Sequence, residues 1–191
     1  MLDLEPPARQ MKALVLGVRD DQLSAPTPCA GVSVGDLLDH VSSLAIAFRD
    51  AAAKIPGTGG SAPPPPSVDD LPTDWRTRIP EQLDELVAAW RDPAAWEGTT
   101  TAGGATMPAE AMGMVVMDEL VLHGWDLARG SGQPFTCDPA STQAVFEFTS
   151  QAAQPGFDRN GLFGPVIDVP ADASLFDRAL GLGGRDPGWR P

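Results

Sequence analysis

The chain has two histidines, His40 and His123, and each falls in a stretch where apolar residues recur at helical spacing. Glu119 precedes His123 by four residues. One helical turn therefore brings a carboxylate and an imidazole to the same side, within reach of one cation at about 2.0–2.2 Å. Met112, Val116, Glu119, His123 and Asp126 fall on a single stripe that an amphipathic helix turns toward the core. An uncompensated Glu or His there carries a desolvation cost on the order of a few kcal/mol, which a bound cation would offset. His40 shares its face with Leu37, Val41 and Leu44 and is the candidate third ligand. Three protein ligands leave a coordination position for water or substrate, the pattern of catalytic rather than structural zinc. Plainer readings compete: a core histidine bonded to a backbone carbonyl, and Glu119 paired with an arginine of a neighbouring helix. Asp126 is a candidate for orienting a ligand or contacting a substrate, against pairing with Arg129 near the helix end. Trp125 is a packing residue first and a substrate platform second, and Cys29, in a loop, reads as structural rather than nucleophilic. No residue declares itself as the catalytic acid, base or nucleophile.

These residues need helices to hold them. Periodicity predicts a first helix over Pro7 to Gln22, and a second from Val34 to Lys54 with Ser33 as N-cap and Asp36 three residues on. A third is predicted from Pro80 to Arg91, followed by a Gly/Thr-rich loop through Thr106. The fourth, carrying the ligand stripe, starts after Pro108 and stops at Gly130 as its C-terminal cap. A fifth covers Pro139 to Ala153 and a short one Ser174 to Leu180, with an extended stretch at Val166 to Val169. Residues 56–73, rich in Pro and Gly, cannot form a helix or central strand and are expected to be a surface loop or lid. The expectation is an all-α bundle in a single domain spanning 1–191.

Composition narrows the function classes. A net charge of −13 without a Lys/Arg cluster argues against nucleic acid as a partner. The acidic, proline-bearing start is unlike a signal peptide, and no apolar run approaches the roughly 18 residues of a membrane span, so the expected location is the cytoplasm. Two cysteines in dissimilar loops, Cys29 and Cys137, make neither a disulfide framework nor a cysteine-rich zinc site.

Three segments, PTPCAGVSVGDLLDHV at 26–41, MDELVLHGWDLARGSGQP at 117–134 and LGGRDPGW at 182–189, together resemble the mycothiol-dependent maleylpyruvate isomerase metal-binding (N-terminal domain) family of the DinB superfamily. The resemblance implies a DinB-like four-helix bundle in which a His from the second helix and an ExxxH motif from a later one hold zinc or nickel. His40, Glu119 and His123 match those positions. It further implies that the open position receives a low-molecular-weight thiol, usually mycothiol, for isomerisation of, or S-transfer to, a small electrophilic substrate. Two departures bear on the substrate: those isomerases carry an additional C-terminal domain for which this chain has no room, and Val32 stands where relatives often have Trp. A non-catalytic metal-binding or interaction protein and a metal-water hydrolase are the alternatives. Oligomeric state is left open, a homodimer included.

Overall fold

The structure, a computed structural model, describes residues 1–55, 64–157, 159 and 162–191. In chain order the elements are α1 (Glu5–Gly17), α2 (Val34–Ala52), α3 (Trp75–Trp90), β1 (Thr99–Ala102), β2 (Ala105–Pro108), α4 (Ala109–Ser131), α5 (Pro139–Ala152) and α6 (Leu175–Leu182). Helices α1 and α2 each pack on both α3 and α4, which closes a four-helix bundle, while α5 packs against α4 and α6 against α5. The expected all-α, DinB-like architecture is what forms. Its core includes Met11 and Leu14 of α1, Leu37 and Leu38 of α2, Ile79 and Leu83 of α3, and Met112 and Leu127 of α4. Each such side chain contributes about 1.5–3 kcal/mol by leaving water.

Helix α2 begins as its sequence predicts. Ser33 Oγ accepts from the Asp36 backbone N–H at 3.1 Å, and Asp36 Oδ2 accepts from the Ser33 N–H at 2.9 Å. Asp36 also draws in the next segment, because its Oδ1 accepts from the Val68 N–H at 2.8 Å while Asp39 accepts from the Ser67 N–H at 3.1 Å. Part of the 56–73 loop, residues 56–63, lies outside the described residues; its remainder includes a 3-10 turn at Val68–Asp70 against α2.

Several boundaries move for tertiary reasons. Helix α1 stops at Gly17 rather than Gln22, because the Gln133 side chain lies against Gly17 and donates to the Leu14 carbonyl at 2.9 Å; Asp20–Gln22 is a separate 3-10 turn. Helix α3 starts at Trp75, five residues before Pro80, with buried Trp75 and Ile79 anchoring its first turns. Helix α4 runs past Gly130 and is capped by Gly132 at φ +68°, with the Gln133 N–H reaching the Ala128 carbonyl at 2.8 Å. Gly130 serves close approach instead: a Cβ there would meet Val34 Cγ2 at 2.9 Å and the Pro26 carbonyl at 3.0 Å.

The Gly/Thr-rich stretch is a β-hairpin, not a loop. Thr99 pairs with Pro108 and Ala102 with Ala105 around Gly103–Gly104, both at positive φ as a two-residue hairpin turn requires. Thr100 and Ala102 face inward, and Thr100 Oγ1 donates to the Ala51 carbonyl, tying the entry of α4 to the end of α2. Val166 to Val169 forms no strand; Ile167 donates to the Gly181 carbonyl at 2.9 Å and the stretch runs beside α6.

Ser33→Ala should lower the unfolding free energy by about 1 kcal/mol, read as a reduced urea midpoint at an unchanged m-value. An unchanged midpoint would show that the cap at the start of α2 contributes nothing.

Candidate metal centre

Helices α2 and α4 pack directly on each other, and this brings His40 to the Glu119–His123 pair. One ligand-type atom from each of the three lies within 4.8 Å of the others. Glu119 Oε2 is 2.9 Å from His123 Nε2 and 3.8 Å from His40 Nε2, and the two imidazoles meet edge to face with centroids 4.9 Å apart. Yet Glu119 Oε2 is buried and makes no aligned hydrogen bond to any described residue. The cluster is half open: His40 and Glu119 keep 27% and 21% of their side-chain surface, while His123 keeps 14%. Met11, Val41, Leu44, Phe48 and Leu83 line a small apolar pocket beside Glu119.

His123 is held from behind. Its Nδ1 lies 3.0 Å from Asp126 Oδ2, and Asp126 is fully buried. The same oxygen accepts from Arg185 Nη2 at 3.0 Å and from the Cys29 thiol at 3.0 Å, with Cys29 Sγ 3.9 Å from His123 Nδ1. Asp126 therefore faces inward as its stripe predicts, but its partner is Arg185 and not Arg129. Arg129 lies instead over the Trp125 ring at 5.3 Å, and Trp125 is 2% exposed within the core. Cys29, His123 and Asp126 form a second group of ligand type, and the Arg185 guanidinium already supplies the positive charge there.

Electrostatics follow from this packing. Burial works to raise the Glu119 pKa, but the charge of His123 and the proximity of His40 outweigh it and hold the carboxyl far below its usual range. Burial would lower His123, but the Glu119 charge and the contacts with Asp126 and Cys29 raise it well above an ordinary histidine. Asp126, despite burial, is kept low by Arg185 and His123. Asp118 is the exception: burial and the neighbouring Glu119 charge push its carboxyl well up, and its Oδ1 has no partner among the described residues.

Spacing and periodicity give Arg185 no role, and in sequence Cys29 reads as structural rather than nucleophilic. Both lie in the motifs at 26–41 and 182–189, but neither spacing nor periodicity says that segments 156 residues apart meet at one carboxylate. Cys137 belongs to neither group of ligand type. It lines a cavity of about 440 Å³ with Arg9, Gln10, Leu120 and Phe135, and burial pushes its thiol up to about 11.

The fold and the cluster define a DinB-like helical bundle with two imidazoles and a carboxylate gathered between adjacent helices, the way bundle proteins build sites in their cores. The chain belongs to the mycothiol maleylpyruvate isomerase N-terminal domain family, whose model matches residues 4–128. It is 30% identical over 128 residues to an uncharacterized protein of Mycobacterium tuberculosis, Rv0738 in strain ATCC 25618 / H37Rv and MT0763 in strain CDC 1551 / Oshkosh. The matched stretch covers 66% of this chain and 64% of the relative's own length. The crystal structure of the mycothiol-dependent maleylpyruvate isomerase superposes with a TM-score of 0.61 at 21% identity, over 80% of this chain and 71% of that one, a likeness of fold. No helix among the described residues is long and apolar enough to cross a membrane.

The raised His123 pKa fixes the sign of one pH effect. In metal-free protein its stabilising share is complete below the unfolded histidine pKa and is lost as pH rises through the folded value; the share from the lowered Glu119 is lost in the opposite direction, toward acid. Nitrogen-15 NMR of chelator-treated protein should show both His123 ring nitrogens protonated at neutral pH. Titration at or below the ordinary value of about 6.5 would contradict a histidine held charged between Glu119 and Asp126.

Proposed function

We propose that the chain binds one divalent cation, zinc or nickel, through His40, Glu119 and His123. In this reading it uses a low-molecular-weight thiol of the mycothiol type to isomerise, or transfer sulfur to, a small electrophilic substrate. The observation that carries the metal reading is Glu119 Oε2, a buried carboxylate oxygen with no aligned hydrogen bond among the described residues and two imidazole nitrogens, 2.9 and 3.8 Å away, beside it. Two imidazoles and a carboxylate suit zinc and nickel alike. The thiol and the isomerase chemistry are supported by the family to which the chain belongs.

When bound, such a cation supplies a fixed positive charge that favours thiolate over thiol near neutral pH. The chain's own residues do the rest. Asp126 takes the hydrogen bond of His123 Nδ1, which turns Nε2 toward Glu119 and His40. The exposed edges of His40 and Glu119 leave a side from which a small molecule can approach, and the pocket beside Glu119 offers it an apolar lining. A cation that only fastened two helices together would be expected in a closed site, so this openness favours the catalytic reading. We place the activity in the cytosol, where thiol cosubstrates stay reduced, and the two free cysteines accord with that.

Elemental analysis should find close to one divalent ion per chain, lost in His40→Ala and in His123→Ala; equal metal in those variants would overturn the site. Mycothiol titrated into cobalt-substituted protein should produce a saturable sulfur-to-cobalt charge-transfer band. If metal binds but no thiol gives that band, hydrolysis by metal-bound water becomes the better reading.

A further inference from the structure

The family match ends at residue 128, yet a side chain from far beyond it reaches the ligand cluster. Arg185 follows α6, and its guanidinium is buried against Asp126, which in turn meets His123. We propose that Arg185 is a positioning residue for the metal ligand His123, acting through Asp126, so that the C-terminal segment is part of the metal centre. This inference rests on the metal reading above.

Three observations carry it. Asp126 is 0% exposed, and Oδ2 is the oxygen that takes all of its described contacts, from Arg185, His123 and Cys29; Oδ1 has no partner among the described residues. Arg185 is thus the one permanent cation in contact with this carboxylate among the described residues. Without it, Asp126 Oδ2 would lose the forked cation that holds the carboxylate in place and would be free to turn, so His123 Nδ1 would lose its fixed acceptor. With it, Nδ1–H has a fixed acceptor and Nε2 is presented to Glu119 and His40, the arrangement by which carboxylates orient metal-binding imidazoles.

The delivery of Arg185 is rigid. Its backbone N–H bonds the Leu180 carbonyl at 2.8 Å and its Nη1 bonds the Gly183 carbonyl at 2.8 Å. The turn between them needs Gly184 at φ +81°, and a Cβ at Gly183 would meet Leu122 Cδ1, one residue before His123, at 2.9 Å. The turn after α6 therefore lies beside Leu122 of α4, next to His123. Cys29 joins from the other side, its Sγ 3.8 Å from Arg185 Nη2.

The test measures Zn²⁺ affinity by competition with a chromophoric chelator in wild type, Arg185→Met, Arg185→Lys, Asp126→Asn and the Arg185→Met/Asp126→Asn double variant. Arg185→Met and Asp126→Asn should each weaken Zn²⁺ roughly 10–100-fold, and Arg185→Lys less, since one ammonium replaces a forked guanidinium. The double variant should be no weaker than Asp126→Asn alone, because the arginine acts through the aspartate. A purely structural arginine would instead lower the melting temperature of the metal-free protein and leave the affinity of the folded protein unchanged, which would overturn the proposal, as would additive losses in the double variant. If Arg185→Met does not fold, Arg185→Lys decides: weaker Zn²⁺ binding supports the proposal and wild-type affinity overturns it. If the wild type binds neither Zn²⁺ nor Ni²⁺, the metal reading fails by itself. The His123 Nδ1–H resonance of metal-free protein then reports on the relay alone: its loss in Arg185→Met upholds the coupling to Asp126, and its persistence refutes it.

Discussion

A carboxylate with no access to water is the constraint around which the site is arranged. Asp126 is fully buried, and a buried charge of that kind is tolerated only where fixed partners replace its hydration. Those partners come from three separate parts of the chain: His123 from the same helix, Cys29 from the loop before α2, and Arg185 from the turn after α6. Each requirement propagates outward. The loop around Cys29 closes tightly against α4, which leaves no room for a side chain at Gly130, and the turn after α6 brings Gly183 close to Leu122 of α4.

On the other face of the same imidazole, the chemistry is less settled by internal partners. Glu119 has two imidazoles near one oxygen and a hydrogen bond from neither, beside an apolar pocket that offers no substitute. Each carboxylate has one buried oxygen without an aligned hydrogen bond among the described residues, but Asp126 keeps Arg185 on its other oxygen, whereas the unbonded oxygen of Glu119 is the one beside both imidazoles. This asymmetry on either side of His123 separates a carboxylate that orients from a carboxylate free to ligate. It also explains why His123 rather than His40 is the electrostatic centre of the cluster, since two carboxylates flank it.

The bundle gives the site its precision. The capped start of α2 fixes the register of His40 relative to Ser33, and the hairpin between α3 and α4 joins the far ends of α2 and α4 through Thr100 and Ala51. With both ends of the α2–α4 pair restrained, the separation of His40 from Glu119 is set by packed helices and not by a loop.

Much of this was legible in the sequence because it depends on local periodicity. Spacings of three and four put Glu119, His123 and Asp126 on one face of α4 and turned His40 inward from α2, and the Ser33–Asp36 pair announced where α2 begins. Local signals failed where distant segments compete for a terminus: Gln133 ends α1 early, buried Trp75 and Ile79 extend α3 ahead of Pro80, and Gly130 is a contact point and not a cap. The Gly103–Gly104 hairpin was present as a turn signal but lay hidden in threonines that read as loop. What the sequence determined by itself is which side chains of ligand type share a helix face, since helical geometry is a property of a few neighbouring residues. Only the tertiary structure decided which charge stands behind them, because Arg185 and Asp126 meet through packing between segments far apart in the chain.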